Sequence, residues 1–260
     1  MITRILAAIV ATAFIFAVAP AQAEFKRGWL DYTHGDKKLR GLLVQDDAVQ
    51  GKRPGILVIH GQDGMSENTQ AITEMWARLG YVALAADIFG YGEGILPTGK
   101  DMSVQTGIYR KDRALMRART KAAYDALAGH SAVDASRIAL IGYCFGGSVG
   151  VEFGSTGADL KLNVAIHGSF GGHEAGWAKN AKGMFLILHG AEDKGYSLAT
   201  AVTPVLDELR THKVPFQLEV YSGAGHGFYR PKGADNERAL RQANASTGRV
   251  LKEVFDGRGS

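Results

Sequence analysis

The chain contains a single cysteine, Cys144, within the run GYCFGG at residues 142–147, directly behind an apolar segment. An apolar, β-rich segment followed by this glycine-bracketed cysteine and a helix-forming stretch predicts a strand, a very tight turn and a helix. Gly142 and Gly146 lack the Cβ atoms that would collide in such a turn, and the turn strains the backbone of the cysteine. The thiol would project from a strand end, beside a helix N-terminus that favours a thiolate and an oxyanion.

Two polar residues further along the chain complete a candidate catalytic triad with this thiol. Asp193 follows a strand predicted over residues 183–188, and His226 follows a strand predicted over residues 216–221. The histidine would deprotonate the thiol, and the aspartate would orient the imidazole. Glu192 is an alternative partner for the imidazole, because Asp193 lacks the apolar-Pro sequence that often follows such an aspartate.

These three motifs, together with ILVIHGQDG near residue 60 and ADIFGYGEG near residue 90, resemble the dienelactone hydrolase family of α/β-hydrolases. The resemblance runs from about Leu39 to Phe255 and implies an α/β-hydrolase fold. The alternation of strands and helices from Pro54 onward separately predicts a mostly parallel sheet with helices on both faces. Strands predicted over residues 25–33 and 38–44 would add an N-terminal antiparallel hairpin.

The resemblance also implies roles for residues outside the triad. The backbone N–H groups of Gln62 and Phe145 would form the oxyanion hole. Tyr91 and Arg230 fall where the family has two arginines that bind the substrate carboxylate, so only Arg230 keeps the charge. A surface salt bridge is an equally open role for Arg230. The loss of one arginine disfavours small anionic dienelactones as substrates. Gly61 replaces a glutamate that touches the resting cysteine in the family, which predicts that His226 is the only base near the thiol.

The chemistry predicted from these residues is hydrolysis of carboxylic esters or lactones through an acyl-thioester, a carboxymethylenebutenolidase-like activity that needs no cofactor. No metal is expected, because His167, His173 and Glu174 lack the spacing of a metal site. The alternative is a catalytically inactive relative that binds a ligand or senses oxidants through an exposed thiol. An intact Asp193 and His226 favour the enzyme, since a sensor needs no oriented base.

The N-terminus indicates export. Residues 1–23 combine Arg4, an apolar run over 5–19 and a small-x-small sequence ending at Ala23, which predicts a signal peptide cut after Ala23. A membrane anchor is the alternative, but the run is shorter than the ~20 residues of a spanning helix. We expect a periplasmic or secreted protein, free of the membrane after cleavage.

The remaining residues, 24–260, are enough for a single domain with one large core. A chain with 46% hydrophobic and 22% charged residues has the composition of an ordinary globular enzyme. The net charge of +4 is too small and too dispersed to indicate a nucleic-acid partner. A small-molecule substrate and a monomer are expected, and a lone cysteine excludes an intrachain disulfide.

Two local expectations concern the middle of the chain. Residues 90–107 are rich in glycine and lack periodicity, which predicts a long loop over the strand ends. Residues 110–128 are expected to form one helix with a solvated basic face, made of Arg110, Arg113, Arg117 and Lys121.

Overall fold

The computed structural model describes residues 25–94, 102–230 and 232–257. The predicted signal peptide, residues 1–23, lies outside this range. The strands are, in chain order, β1 (Phe25–His34), β2 (Lys37–Asp46), β3 (Arg53–Ile59), β4 (Val82–Ala86), β5 (Val133–Tyr143), β6 (Leu162–Ile166), β7 (Met184–Gly190) and β8 (Phe216–Tyr221).

These strands form one eight-stranded sheet in the order β1-β2-β4-β3-β5-β6-β7-β8. The first two strands pair as an antiparallel hairpin, and β2 also runs antiparallel to β4. All other pairs are parallel. The predicted α/β-hydrolase fold, with its mostly parallel sheet and N-terminal hairpin, is confirmed.

In the described parts of the chain, six α-helices surround the sheet: α1 (Glu67–Arg78), α2 (Met102–Lys111), α3 (Arg113–Ala128), α4 (Phe145–Gly154), α5 (Thr203–Thr211) and α6 (Ala234–Phe255). Short 3₁₀ helices cover Tyr91–Glu93 and Trp177–Asn180, and a π-helical turn, Leu198–Val202, leads into α5. Within the described residues, none of the helices is both long enough and apolar enough to cross a bilayer.

The core lies on both faces of the sheet because the central strands are continuous apolar runs. Along β3, Ile56 and Val58 face the layer that contains Trp76 of α1. Leu57 alternates with them and faces the opposite layer, which contains Met116 of α3. This alternation buries both sides of the strand, as helices on both faces require.

The middle of the chain differs from the two local expectations. Residues 102–111 form helix α2 rather than loop, and residues 95–101 lie outside the described part. Gly107 made the sequence pattern of this segment less typical of a helix. One glycine lowers the stability of a helix by only about 1 kcal/mol, which the rest of the segment can offset. The helix predicted over 110–128 is divided at Asp112, whose carboxylate accepts a hydrogen bond from the Leu115 N–H at 2.8 Å and so starts α3.

The basic face predicted on this helix is mostly used inside the protein. Arg113 and Arg117 both donate to the carboxylate of Glu152 on α4, a buried side chain. His173 contacts the same carboxylate at 2.7 Å. Arg110 donates to the Ser169 hydroxyl at 2.6 Å. The expectation of a solvated face failed because the spacing along one helix does not reveal an acid on another.

Candidate active site

Cys144 lies between strand β5 and helix α4, in the tight turn that the sequence predicts. Its φ of 53° and ψ of −112° are strained for a residue with a side chain. A Cβ at Gly142 would collide with the Gly146 carbonyl, and one at Gly146 would collide with the Ile59 carbonyl of β3. Both glycines are therefore required, and the turn packs directly on the end of the neighbouring strand.

The predicted triad residues lie within hydrogen-bond distance of one another. The Sγ atom of Cys144 is 3.0 Å from Nε2 of His226, and Nδ1 of His226 is 2.7 Å from Oδ2 of Asp193. The backbone N–H groups of Gly195 and Tyr196 both donate to the other carboxylate oxygen, Oδ1, at 3.0 Å. The structure thus selects Asp193 over Glu192 as the partner of the imidazole, since Glu192 is exposed.

Sheet topology accounts for this convergence. Strands β7 and β8 end side by side, with Gly190 paired to Tyr221. The loops that carry Asp193 and His226 leave the sheet from that pair, at the same carboxyl edge as the cysteine turn. Polar residues just beyond the carboxyl ends of parallel strands are placed to meet over the edge of the sheet.

The charge balance favours a protonated imidazole. Burial lowers the pKa of His226, but the hydrogen bond and charge of Cys144, and then those of Asp193, outweigh it and raise the pKa to about 9. The imidazolium lies between the Cys144 sulfur and the Asp193 carboxylate. The thiol is half-buried and the side chain of His226 is 31% exposed, so a substrate can reach both.

The two predicted oxyanion donors come from adjacent loops. Phe145 is the first residue of α4, where a backbone N–H has no partner within the helix. Gln62 lies in the loop after β3, and β3 pairs in parallel with β5 through Ile59 and Gly142. Both donors therefore belong to loops that leave neighbouring strands at the same edge.

A second polar group, the Asp63 cluster, lies in the loop after β3 and consists of Asp63, Ser66, Tyr229 and Arg230. The buried Asp63 carboxylate accepts hydrogen bonds from the Tyr229 hydroxyl at 2.9 Å and from the Ser66 hydroxyl at 2.7 Å. Arg230 approaches it at 3.8 Å. Burial, and then the charge of Asp63, raise the pKa of Tyr229, and the charge of Cys144 contributes.

The Asp63 cluster fills the space beside Gly61. A Cβ at Gly61 would be 2.6 Å from the Tyr229 hydroxyl and 2.9 Å from Oδ1 of Asp63. A glutamate at position 61 would therefore not fit without displacing these groups, but the same loop still carries a carboxylate. Asp63, two residues further along, supplies one from the same loop and shares it with Tyr229.

His167 lies against the triad. It is the first residue after β6, is fully buried, and has a φ of 41°. Its ring meets that of His226 edge to face, with centroids 4.9 Å apart. Burial, and then the charge of His226, lower the pKa of His167 well below its usual value, so its ring is neutral.

Comparison with known proteins agrees with this architecture. The profile of the dienelactone hydrolase family matches residues 39–255. The chain belongs to the dienelactone hydrolase family. This membership confirms the resemblance stated from the motifs and the expected class of enzyme, a hydrolase of esters or lactones.

Individual members of the dienelactone hydrolase family match over most of their length. A protein assigned as a carboxymethylenebutenolidase in Synechocystis is 26% identical over 84% of this chain and 91% of its own. Another with the same assignment, in Methylorubrum extorquens, is 26% identical over 87% of this chain and 84% of its own. The crystal structure of a dienelactone hydrolase-like promiscuous phosphotriesterase from metagenomic libraries is 31% identical, with a TM-score of 0.83 over 90% of this chain and 99% of its own.

The two residues expected at the family's carboxylate-binding positions have other neighbours here. Arg230 is half-exposed, and its guanidinium lies 5.0 Å from the Tyr229 ring centroid, next to Asp63. Tyr91 stacks on Trp29 with centroids 5.0 Å apart. The salt-bridge role of Arg230 is thus present, and substrate contact by Tyr91 or Arg230 stays a prediction.

Sequence reasoning missed Tyr229 and gave Asp63 no role. Tyr229 is three residues after His226, and Asp63 lies within the HGQDG motif, so both were in loops already assigned to the site. Their contact joins residues 166 positions apart. Position in a catalytic loop was the available signal, but it does not show which side chains meet.

Proposed function

We propose that this protein hydrolyses carboxylic esters or lactones with Cys144 as the nucleophile. The observation that carries the proposal is the unbroken chain from Sγ through the imidazole to Asp193, with separations of 3.0 and 2.7 Å. It begins at a strained cysteine in front of a helix N-terminus. Such strain is maintained only where surrounding packing enforces it.

In the acylation step, the Cys144 thiolate attacks the substrate carbonyl and a carbon–sulfur bond forms. The N–H groups of Gln62 and Phe145 hold the oxyanion of the tetrahedral intermediate. When the intermediate collapses, the carbon–oxygen bond breaks and the imidazolium of His226 gives its proton to the leaving alkoxide. The product is an acyl-thioester, with the alcohol still attached if the substrate is a lactone.

Deacylation uses the same groups in the opposite sense. Neutral His226 takes a proton from water as the water attacks the thioester carbonyl. The carbon–sulfur bond then breaks, the acid leaves, and the thiolate and imidazolium are restored. Asp193 keeps its hydrogen bond to Nδ1 in both steps, so Nε2 always faces the reacting groups. No step requires a cofactor.

The charges around the thiol favour neutral substrates over small anionic ones. The carboxylate of Asp63 partly neutralises Arg230, and the uncharged Tyr91 occupies the other position where the family has an arginine. At these two positions a substrate carboxylate would therefore find one cation, already shared with Asp63. We expect neutral esters and lactones to be turned over faster than the dienelactones for which the family is named.

A second candidate is a catalytically inactive, ligand-binding or redox-sensing protein. A half-exposed thiol beside an imidazolium favours it, because such thiols oxidise readily. The Asp193 hydrogen bond to His226 favours turnover instead, since a sensor gains nothing from an oriented base.

We also propose that the chain is exported after cleavage behind Ala23 and acts as a single-domain monomer formed by residues 24–260. The support is the apolar leader followed by a small-x-small sequence. The mass of the protein recovered from the periplasm should be that of a chain that begins at Glu24. Elution at the mass of a dimer would overturn the monomer.

Hydrolysis of p-nitrophenyl acetate by the purified protein tests the proposed function. Phenyl esters, neutral lactones, an anionic dienelactone and a neutral aryl phosphotriester extend the panel, the last because of the structural relative. We expect the neutral carboxylic substrates to be cleaved and Cys144→Ala to abolish cleavage. A folded protein that cleaves none of them, but whose thiol oxidises reversibly, would support the second candidate.

A further inference from the structure

His167 has features that packing alone does not explain. Its ring is completely buried, yet within the described part of the chain neither ring nitrogen has a hydrogen-bond partner. Burying an unpaired polar group costs on the order of 1–3 kcal/mol. Phenylalanine would fill the same space, against the rings of Phe228 and Tyr229, without that cost.

Strand register places this ring beside the nucleophile. Tyr143 of β5 pairs with Ile166 of β6, so Cys144 and His167 are both the next residue after a paired position. The Cys144 N–H also donates to the Ile166 carbonyl at 3.1 Å. The backbone of His167 is held in place by its own N–H, which donates to Leu188 of β7 at 2.7 Å.

Three potential metal ligands thereby converge. One ligand atom each from Cys144, His167 and His226 lie within 4.8 Å of one another. We propose that the active site is also an inhibitory site for a thiophilic divalent cation, Zn²⁺, bound by Sγ of Cys144, Nε2 of His226 and a ring nitrogen of His167. The inhibition rests on the function proposed above, whereas the binding does not.

The geometry is close to that of a zinc site. Zinc bonds of about 2.3 Å to sulfur and 2.0–2.1 Å to nitrogen place tetrahedral ligand atoms roughly 3.3–3.6 Å apart. Sγ and Nε2 of His226 are 3.0 Å apart, and the third atom is within 4.8 Å of both. Shifts of about 1 Å bring all three to a common ion.

The surroundings also suit a metal. Histidines that bind zinc usually donate their other ring N–H to a carboxylate, and Nδ1 of His226 already has Asp193 at 2.7 Å. Three protein ligands leave the fourth position of zinc open to water. The exposed His226 and half-buried Cys144 give the ion a path from solvent.

Sequence spacing could not show this site, because each ligand follows a different strand. Occupation by zinc would remove the nucleophile and the base together. We therefore expect Zn²⁺ to abolish ester hydrolysis, and a chelator to restore it, which separates metal binding from oxidation of the thiol.

Binding is measured directly on the full chain without a substrate. Calorimetric titration with Zn²⁺ should show a single ion per chain, and Co²⁺ should give a thiolate-to-cobalt charge-transfer band that Cys144→Ala removes. His167→Phe keeps the ring packing and removes the ligand, so Zn²⁺ affinity should fall by at least about 10- to 100-fold, the loss caused even by removing outer partners of metal ligands.

His189→Phe is the matched control. His189 is a similarly buried histidine on β7, but it is not part of the ligand cluster. This variant should bind Zn²⁺ as the parent does. Circular dichroism establishes folding, and His167→Gln carries the same expectation if His167→Phe does not fold.

Two results would overturn the site: no charge-transfer band with Co²⁺, or unchanged Zn²⁺ affinity in His167→Phe. Failure of the proposed function looks different. A protein that binds the metals as described but cleaves no ester in their absence would contradict the hydrolase and leave the metal site standing. One that hydrolyses esters equally well with and without Zn²⁺ would contradict only the metal site.

Discussion

The triad and the Asp63 cluster lie in loops at the same edge of the sheet but are built in different ways. Each triad residue follows the end of a parallel strand, so the sheet itself fixes where the side chains meet. The Asp63 cluster depends on side chains that cross between the loop after β3 and the loop after β8. Asp63 accepts from both a buried tyrosine and a serine, and its position depends on both.

This difference shows which part of the site is free to vary. A triad set by strand ends remains in place when surrounding side chains change. The residues of the Asp63 cluster position one another, so a change at one of them requires changes at the others. Here Tyr229 and Asp63 occupy the space that an acidic side chain at position 61 would need. The two regions should therefore respond differently to substitution: the triad through rate, and the Asp63 cluster through stability.

The largest effect is expected at the nucleophile. Cys144→Ala should lower kcat/KM by about 10³-fold or more, because acylation loses its attacking atom. Iodoacetamide should give one adduct by mass spectrometry and the same loss of hydrolysis. Cys144→Ser should retain weak activity at most, since the base is positioned for a larger sulfur atom. Full alkylation without loss of activity would show that another residue is acylated.

Substitution of the base should have the next largest effect. His226→Ala should lower kcat by roughly 10²- to 10⁴-fold, the range of general acid–base catalysis. Asp193→Asn should cost less, because Asp193 orients the imidazole and transfers no proton. The matched control is Glu192→Gln, which removes an exposed neighbouring carboxylate and should be silent. If Glu192→Gln is the more damaging change, Glu192 holds the imidazole.

The pH profile should separate acid catalysis from thiol reactivity. The pKa of His226 is raised to about 9, so hydrolysis should fall as the imidazolium is lost above about pH 9. Alkylation of Cys144 by iodoacetamide needs no acid and should not fall there. Because the pKa of His226 is higher in the folded than in the unfolded chain, protonation of His226 stabilises the fold. This contribution to the free energy of unfolding is complete below about pH 6.5 and is lost as pH rises through about 9. Parallel loss of alkylation and hydrolysis would contradict the acid role.

The smallest effect on chemistry, but a measurable one on folding, is expected at Gly61. Gly61→Glu should destabilise the protein by about 1–3 kcal/mol in urea unfolding, because its side chain overlaps Tyr229 and Asp63. Gly28→Glu is the matched control, since a side chain at Gly28 meets open space. The loss caused by Gly61→Glu should be smaller in a Tyr229→Ala background than in the parent, because the overlapping ring is then absent. Equal stability of the two glutamate variants would show that the Asp63 cluster does not fill this space.

The sequence predicted the strand ends well and the contacts between loops poorly. The strands predicted over 183–188 and 216–221 match β7 (Met184–Gly190) and β8 (Phe216–Tyr221) to within two residues, and the glycine pair around Cys144 required the turn. The Asp63 to Tyr229 bond joins residues 166 positions apart, and no local pattern reports such a pairing. His167 lay in a glycine-rich stretch whose lack of periodicity hid its position beside β5. Asp112 divides the predicted helix because its side chain accepts a hydrogen bond from the Leu115 N–H. The spacing of apolar residues gives no information about such a bond.

Glu152 suggests an order of events during folding. Its buried carboxylate has partners on α3 and in the segment around His173. Burial raises the pKa of Glu152, but the hydrogen bonds and charges of His173 and Arg113 outweigh it and lower the pKa to about 2. A buried carboxylate is costly until it is paired. The arginines of α3 precede Glu152 in the chain and His173 follows it, so during synthesis we expect α4 to meet the arginines before His173 docks. The segment that begins at His167 would then settle late. A newly made chain would possess strands β1 to β6 and its thiol before the segment around His173 had docked against α4.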